Sequence, residues 1–283
     1  METIRIQRQA PIAIVRLNRP QARNAINFQM AEELSGALRQ IESDAEIRAL
    51  ILTGSDGSFS AGADLPDLLA QESVSHAIDR MLSLHYIGGC SLYEVKIPVV
   101  CAINGVIAGG GLGFALQADI TLAAKSARFL LPFVPKLGLT PDMGSTWYLP
   151  HMIGTARAKA VAMLGDKFNA EQAEQWGLIW RCVDDDQLMQ EATQAALRLA
   201  ASPRNAILKV RELMHSAGRH DVGEHRRLER ESIVALAQSP QCQEGVSAFT
   251  EKRPVDFAQF DDWGLLKTGG ASAGQCHHHQ CTR

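Results

Sequence analysis

Two glycine turns hold the residues best suited to chemistry. The first is Phe59-Ser60-Ala61-Gly62-Ala63-Asp64-Leu65; the second is Asn104-Gly105 followed by Gly109-Gly110-Gly111. Each comes just after a short apolar run, residues 49–53 and 98–103, that reads as a strand. Glycine lets the backbone bend tightly and approach a ligand closely. The start of a helix leaves its first N–H groups unpaired. One such turn is only a turn. Two of them can aim two backbone N–H groups at a single carbonyl oxygen, which is the layout of an oxyanion hole.

The elements that must position these turns are legible from periodicity. Ile4-Arg5-Ile6 and Ile12-Ala13-Ile14-Val15 alternate as a hairpin of strands joined through Ala10-Pro11. Over residues 28–41 the apolar side chains Met30, Ala31, Leu34, Ala37, Leu38 and Ile41 make a helical stripe. Strand returns at 48–53, a long helical stretch covers 73–95, and a buried strand follows at 98–103. A helix over 110–117 and a strand over 120–123 come next. This alternation predicts an α/β core of stacked strand-strand-helix units. From residue 155 onward the pattern is helical, apart from a short strand at 178–183. Helices are expected at 187–201, 203–217, 221–238 and 240–252, with Pro203 and Pro240 in first turns that tolerate proline. The expected organisation is a core over 1–200, a helical region over 201–258 and a flexible tail over 264–283. The tail holds the linker-like run Gly269-Gly270-Ala271-Ser272-Ala273-Gly274. Its last residues, Cys276-His277-His278-His279-Gln280-Cys281, are ligand types that suit a transition metal, but a short terminal tract is expected to be a tail and not a metal site.

Composition narrows the partners. The chain has 283 residues, 46% of them apolar and 21% charged, as in an ordinary globular protein. Its net charge of −3 supplies no global positive field for nucleic acid or an anionic membrane. Phosphates must therefore be met by local Arg and Lys. The cysteines Cys90, Cys101, Cys182, Cys242, Cys276 and Cys281 lack the spacing of a small secreted scaffold, so reduced thiols and a cytoplasmic location are expected. The N-terminus lacks the apolar block of a signal peptide. Residues 97–117 carry no charge, yet Pro98, Asn104 and five glycines break the run, so strand, turn and buried helix are expected there instead of a membrane span.

A further set of residues stands in order along the chain. It comprises Asn18-Arg19-Pro20 with Arg23-Asn24-Ala25, then Ser60 to Leu65, Asn104 to Gly111 and Asp119-Ile120. Gly138-Leu139 with Pro141-Asp142, Ala170 to Gly177 and Gly245 to Arg253 complete it. This ordered set resembles the crotonase, or enoyl-CoA hydratase/isomerase, superfamily over residues 3–257. The resemblance implies a crotonase fold with a C-terminal helical trimerisation region, and hence a homotrimer or a dimer of trimers. It implies an acyl-CoA thioester site in which two peptide N–H groups stabilise an enolate, with no cofactor beyond the coenzyme A of the substrate. Carried over position by position, it makes Ala63 and Gly110 the oxyanion donors. The positions expected to contact the thioester or its nucleotide are Arg23, Ala25, Ala61, Ala63, Asp64, Leu65, Gly110 and Lys252.

Two departures from the family pattern bear on the reaction. Hydratases of the superfamily carry one glutamate two residues after the triple glycine and a second about twenty residues later, by analogy with the two groups that general acid–base hydration needs. Here the first position is Gly113, and the second falls at Phe133 or Val134. None of these ionises. Asp142, in Leu139-Thr140-Pro141-Asp142-Met143-Gly144, occupies a position where isomerases and a dehalogenase branch carry a carboxylate. The stretch 139–149 looks closest to the ring 1,2-epoxyphenylacetyl-CoA isomerases and the Δ3,Δ2-enoyl-CoA isomerases. The resemblance thus implies double-bond or ring-epoxide isomerisation with Asp142 as the acid/base. On spacing alone Asp142 better suits a cap for a helix beginning near Ser145, and only the family position favours catalysis. Other readings stay open: a hydratase using another carboxylate such as Asp67, a 4-halobenzoyl-CoA dehalogenase-like enzyme with His85 as base, or a quiet acyl-CoA-binding protein. Asp64 is expected to serve its turn, Glu94 to be surface charge, and His85 to be a packed helix histidine. Phe133, Val134, Met143 and Trp147 are candidates to wall an acyl pocket.

Overall fold

The computed structural model describes residues 1–86, 91–257 and 259–260. Cys90 and the tail over 264–283, with its Cys and His residues, lie outside the described residues. Strands β1 (Ile4–Gln9) and β2 (Ile12–Leu17) form the expected hairpin, with Ile4 opposite Leu17. Helix α1 (Phe28–Ser43) begins where the Asn27 side chain accepts from the Met30 N–H, the usual way an asparagine satisfies an orphan helix donor.

The strand-strand-helix unit then repeats. The first copy is β3 (Ala49–Gly54), β4 (Ser58–Ser60), α2 (Leu65–Leu69) and α3 (Val74–Tyr86). The second is β5 (Val99–Ile103), β6 (Val106–Ala108) and α4 (Gly110–Ala115). The third is β7 (Ile120–Ala124), β8 (Arg128–Leu130), a wide helical turn at Phe133–Leu137, α5 (Ser145–Ile153) and α6 (Thr155–Leu164). After β9 (Phe168–Asn169), α7 (Ala170–Gln175) and β10 (Arg181–Val183) come α8 (Leu188–Ala200), α9 (Arg204–Ser216), α10 (Val222–Ala237) and α11 (Pro240–Glu251). The helix expected over 73–95 is shorter than its periodicity suggests. Residues 91–97 are non-helical, because Ser91 Oγ and the Leu92 N–H are drawn to the Gln117 side chain.

The first element of each unit joins one sheet, in the order β1-β2-β3-β5-β7-β10, and the second joins another, β4-β6-β8-β9. Beyond the hairpin the larger sheet is parallel. Its central strands β3 and β5 are buried on both faces, as parallel strands must be when helices cover them. Side chains alternate strictly: Ile12, Ile14, Ala49, Ile51, Val100 and Ala102 face α8, while Ala13, Val15, Leu50, Leu52, Val99 and Cys101 face the larger core. Helix α8 meets its face with Leu188, Ala192, Ala196 and Ala200, four residues apart on one side. The uncharged stretch 97–117 divides into β5, β6 and α4, and among the described residues no helix is long and apolar enough to cross a membrane.

Packing divides the chain into a unit over 1–212 and a second from 213 onward. Within the first, Arg211 on α9 forks onto Asp119, with Nε and Nη2 donating to the two carboxylate oxygens at 2.7 and 2.6 Å. It also donates to the carbonyls of Val95 and Ile97, and Asp119 accepts from the Val99 N–H at 2.7 Å. Planar guanidinium geometry makes this fork and a single ammonium does not. Arg211→Lys is expected to lower stability by about 2 kcal/mol, the value of lost charge-assisted bonds. The urea midpoint should fall at unchanged slope.

Candidate active site

The two glycine turns meet because β4 and β6 are neighbours. They pair in parallel with Ser60 opposite Ile107, so the residues three further on, Ala63 and Gly110, leave the sheet side by side. Gly62 makes the closeness possible. Its φ is +89°, and a Cβ there would lie 2.9 Å from the Ala108 carbonyl and 3.3 Å from the Gly110 nitrogen. Asn24 braces the first turn: buried, it donates to the carbonyls of Ser55 and Ser58. The adjoining backbone adds Ala61 N–H to Arg23 carbonyl and Asp64 N–H to Ile26 carbonyl, both at 3.0 Å. That is the structural use of the Asn18 to Ala25 stretch. Among the described residues, neither the Ala63 nor the Gly110 N–H has a protein acceptor.

Both turns open on one cavity of about 460 Å³. Ala61, Ala63 and Gly110 line it, together with Leu65, Ile78, Met81, Phe133 and Leu139 among other apolar side chains. Among the described residues, Asp142 is the one ionisable residue in that lining. Its Oδ1 is buried without a hydrogen-bond partner among the described residues and lies 2.9 Å from where a Cβ on Gly110 would stand. Burial pushes the carboxyl up from 3.8 to about 6, its own backbone N–H opposing part of the rise.

The helix-cap reading of Asp142 is overturned. The N-cap of α5 is Gly144, at φ +78°, with no side-chain bond, and Asp142 offers only its carbonyl, to the Ser145 N–H at 2.9 Å. The Gly113 position is filled from outside its helix. A Cβ there would lie 2.5 Å from Ser145 Oγ, 2.7 Å from Met143 Cβ and 2.8 Å from the Asp142 carbonyl. No glutamate stem fits. Of the two candidates for the second position, Phe133 faces the cavity, its ring against Gly109, whereas Val134 is 43% exposed.

Several expected residues stand elsewhere. Trp147 is not in the cavity wall; it stacks on His151 with ring centres 4.4 Å apart. Met143 packs beneath α4 instead of lining the cavity, 3% exposed. His85 is buried against Phe114, its imidazole pushed down to about 4, and is absent from the cavity lining. Asp64 is committed to the fold: its Oδ2 accepts from Arg19 Nη1 at 2.7 Å and its Oδ1 from the Asp67 N–H. Asp67 in turn accepts from the Phe28 N–H at 3.2 Å and does not line the cavity. Ala25 is buried at the entry to α1. Arg23 is exposed in a left-handed turn, without an ion pair among the described residues, and Leu65 is exposed at the cavity edge. Lys252 belongs to the second unit, exposed at the left-handed C-cap of α11. Among the described residues, no group of three or more His, Cys, Asp or Glu is arranged to hold a metal. Sequence reasoning missed Gln117 and the Arg19–Asp64 pair, whose partners lie far along the chain.

Comparison with known proteins places this arrangement. The enoyl-CoA hydratase/isomerase family matches residues 7–260, and the chain belongs to that family of enzymes. It is 39% identical over 260 residues to the 1,2-epoxyphenylacetyl-CoA isomerase of Escherichia coli strain K12, covering 91% of this chain and 98% of that one. It is 30% identical to the mitochondrial enoyl-CoA hydratase of Pongo abelii, over 87% of this chain and 83% of the relative. Its fold is that of the Bacillus anthracis enoyl-CoA hydratase crystal structure, with TM-score 0.81, 28% identity and coverage of 89% and 98%.

Proposed function

We propose that the protein is an acyl-CoA isomerase that shifts a double bond, or rearranges a ring epoxide, in a thioester held by coenzyme A. The observation that carries this reading is that, among the described residues, the Ala63 and Gly110 N–H groups are unpaired and share one apolar cavity with a single carboxylate. A thioester oxygen accepting both bonds gains charge as the α-proton leaves, and fixed dipoles stabilise that charge without reorganising. Asp142, raised to about 6, is ionised at neutral pH yet basic enough to take the proton and return it across the allyl system. The reaction needs no cofactor. Exposed Arg23 and Lys252 are proposed contacts for the nucleotide phosphates. A homotrimer or dimer of trimers accounts for the apolar side chains left exposed on the second unit's helices, Ile233 and Phe249 among them at 69% and 87%. Light scattering of the full chain reads that assembly, and a monomer would remove it.

Hydration calls for a water held between two groups that exchange protons, and Gly113 and Phe133 supply neither. The enzyme is therefore expected to isomerise β,γ-enoyl-CoA substrates and to leave crotonyl-CoA essentially unhydrated. A panel of β,γ-enoyl thioesters with and without an aromatic ring, run beside crotonyl-CoA, is the test. Hydration in the ordinary enzymatic range of about 1–1,000 per second, without isomerisation, would overturn the reading.

A further inference from the structure

We infer that Gln117 is a positioning residue: its side-chain amide clamps the turn that carries Asp142 and so holds the carboxylate over Gly110. The inference rests on the isomerase reading, in which Asp142 moves the proton.

The turn needs holding. Directly after Asp142 come two left-handed residues, Met143 at φ +53° and Gly144 at φ +78°. Glycine adopts that conformation freely, but a long side chain does so under strain, and such strain survives only where the surroundings over-determine it. Helix α4 and Gln117, two residues past its end, provide the surroundings. Gly110, Gly113 and Gln117 follow one another three and four residues apart, the spacing of one helical face. The two glycines leave vacancies into which the turn settles. A Cβ on Gly110 would lie 2.9 Å from Asp142 Oδ1, and one on Gly113 would lie 2.8 Å from the Asp142 carbonyl.

Gln117 then closes over the turn. It is 5% exposed, and its Nε2 donates to the Met143 carbonyl at 3.3 Å. Its Oε1 accepts from Ser91 Oγ and from the Leu92 N–H, both at 3.1 Å. A peptide N–H only donates and a carbonyl only accepts, so these partners permit one orientation of the amide. Met143 and Gly144 also border a cleft of about 210 Å³, lined by Tyr93, Glu94 and Tyr148 as well as Gln117. Beside that cleft, the amide holds the Met143 carbonyl and opposes an outward shift of the turn.

The test is Gln117→Met in the full chain, which keeps length and volume and deletes all three bonds, with Ser91→Ala as a gentler variant that keeps Gln117. For a β,γ-enoyl-CoA, Gln117→Met is expected to lower kcat about 10- to 100-fold, since a displacement of about 1 Å costs on that order, while KM stays within about threefold. Ser91→Ala should lower kcat by less, about threefold, again at constant KM. Asp142→Asn runs beside them. If it has lost turnover while Gln117→Met and Ser91→Ala keep kcat within twofold of wild type, the clamp is wrong and the isomerase reading stands. If Asp142→Asn itself turns over normally, the base assignment fails and takes the clamp with it. Parallel losses in kcat and affinity with a lowered melting temperature would mark Gln117 as merely structural and overturn the inference. If Gln117→Met does not fold, the kcat-against-KM split in Ser91→Ala decides.

Discussion

Asp142→Asn is expected to lower isomerisation by about 100- to 10,000-fold, the range of a positioned general base, while thioester affinity stays within a few-fold. Asparagine keeps the shape but accepts no proton at neutral pH. The donors at Ala63 and Gly110 are untouched. Because the carboxylate form is the base and its pKa is about 6, wild-type turnover should fall as pH drops below 6, approaching tenfold per unit. Stability should move the opposite way from activity. The folded pKa lies above the ordinary 3.8, so the stability contributed by Asp142 is present below that value and lost as pH rises through about 6. Asn is never ionised and escapes this loss. Asp142→Asn should therefore be more stable than wild type by about 1–3 kcal/mol at pH 7, with the difference vanishing below pH 4. Urea unfolding at the two pH values checks it. Normal turnover in the variant would sink the mechanism.

Gly113→Ala is expected to be nearly as damaging to turnover, although Gly113 touches no substrate in this reading. The new methyl would stand 2.7 Å from Met143 Cβ and 2.8 Å from the Asp142 carbonyl, atoms that cannot swing aside as a flexible chain end does. Relief requires the 142–145 turn to move. Overpacking of this kind costs about 1–3 kcal/mol. The displaced base should cost about 100-fold in kcat. Gly113→Glu should not create a hydratase for the same reason. Gly36→Ala on α1, with nothing within 4 Å of its added Cβ, is the control and should be neutral or slightly stabilising. Turnover of Gly113→Ala equal to that control would show that the turn adapts without moving Asp142.

Much of the fold is legible in local pattern because strands and helices bury their faces periodically. The α1 stripe and the four late helices stand within a residue or two of their expected bounds, and the hairpin is where expected, its first strand running three residues further, to Gln9. The long helix over 73–95 does not, because Gln117 captures Ser91 and Leu92 from a distant segment. The two glycine turns are likewise local signals, and the register of β4 against β6 turns them into neighbours.

By itself, the sequence determined that two backbone turns of the right kind exist, that no carboxylate stands at Gly113, Phe133 or Val134, and that Asp142 is available. Only the tertiary structure decided what each of these does. It turned the Asp142 carboxyl into the cavity and away from the α5 cap, spent Asp64 on Arg19, and packed His85 against Phe114. It set Phe133 as cavity wall, left Val134 exposed and Trp147 elsewhere, and filled the space beside Gly113 with the turn at 142–145. The physical reason is one of range. Periodicity and turn chemistry are written within a few neighbouring residues. A side chain's exposure, hydrogen-bond partner and pKa depend on atoms that other segments bring to it.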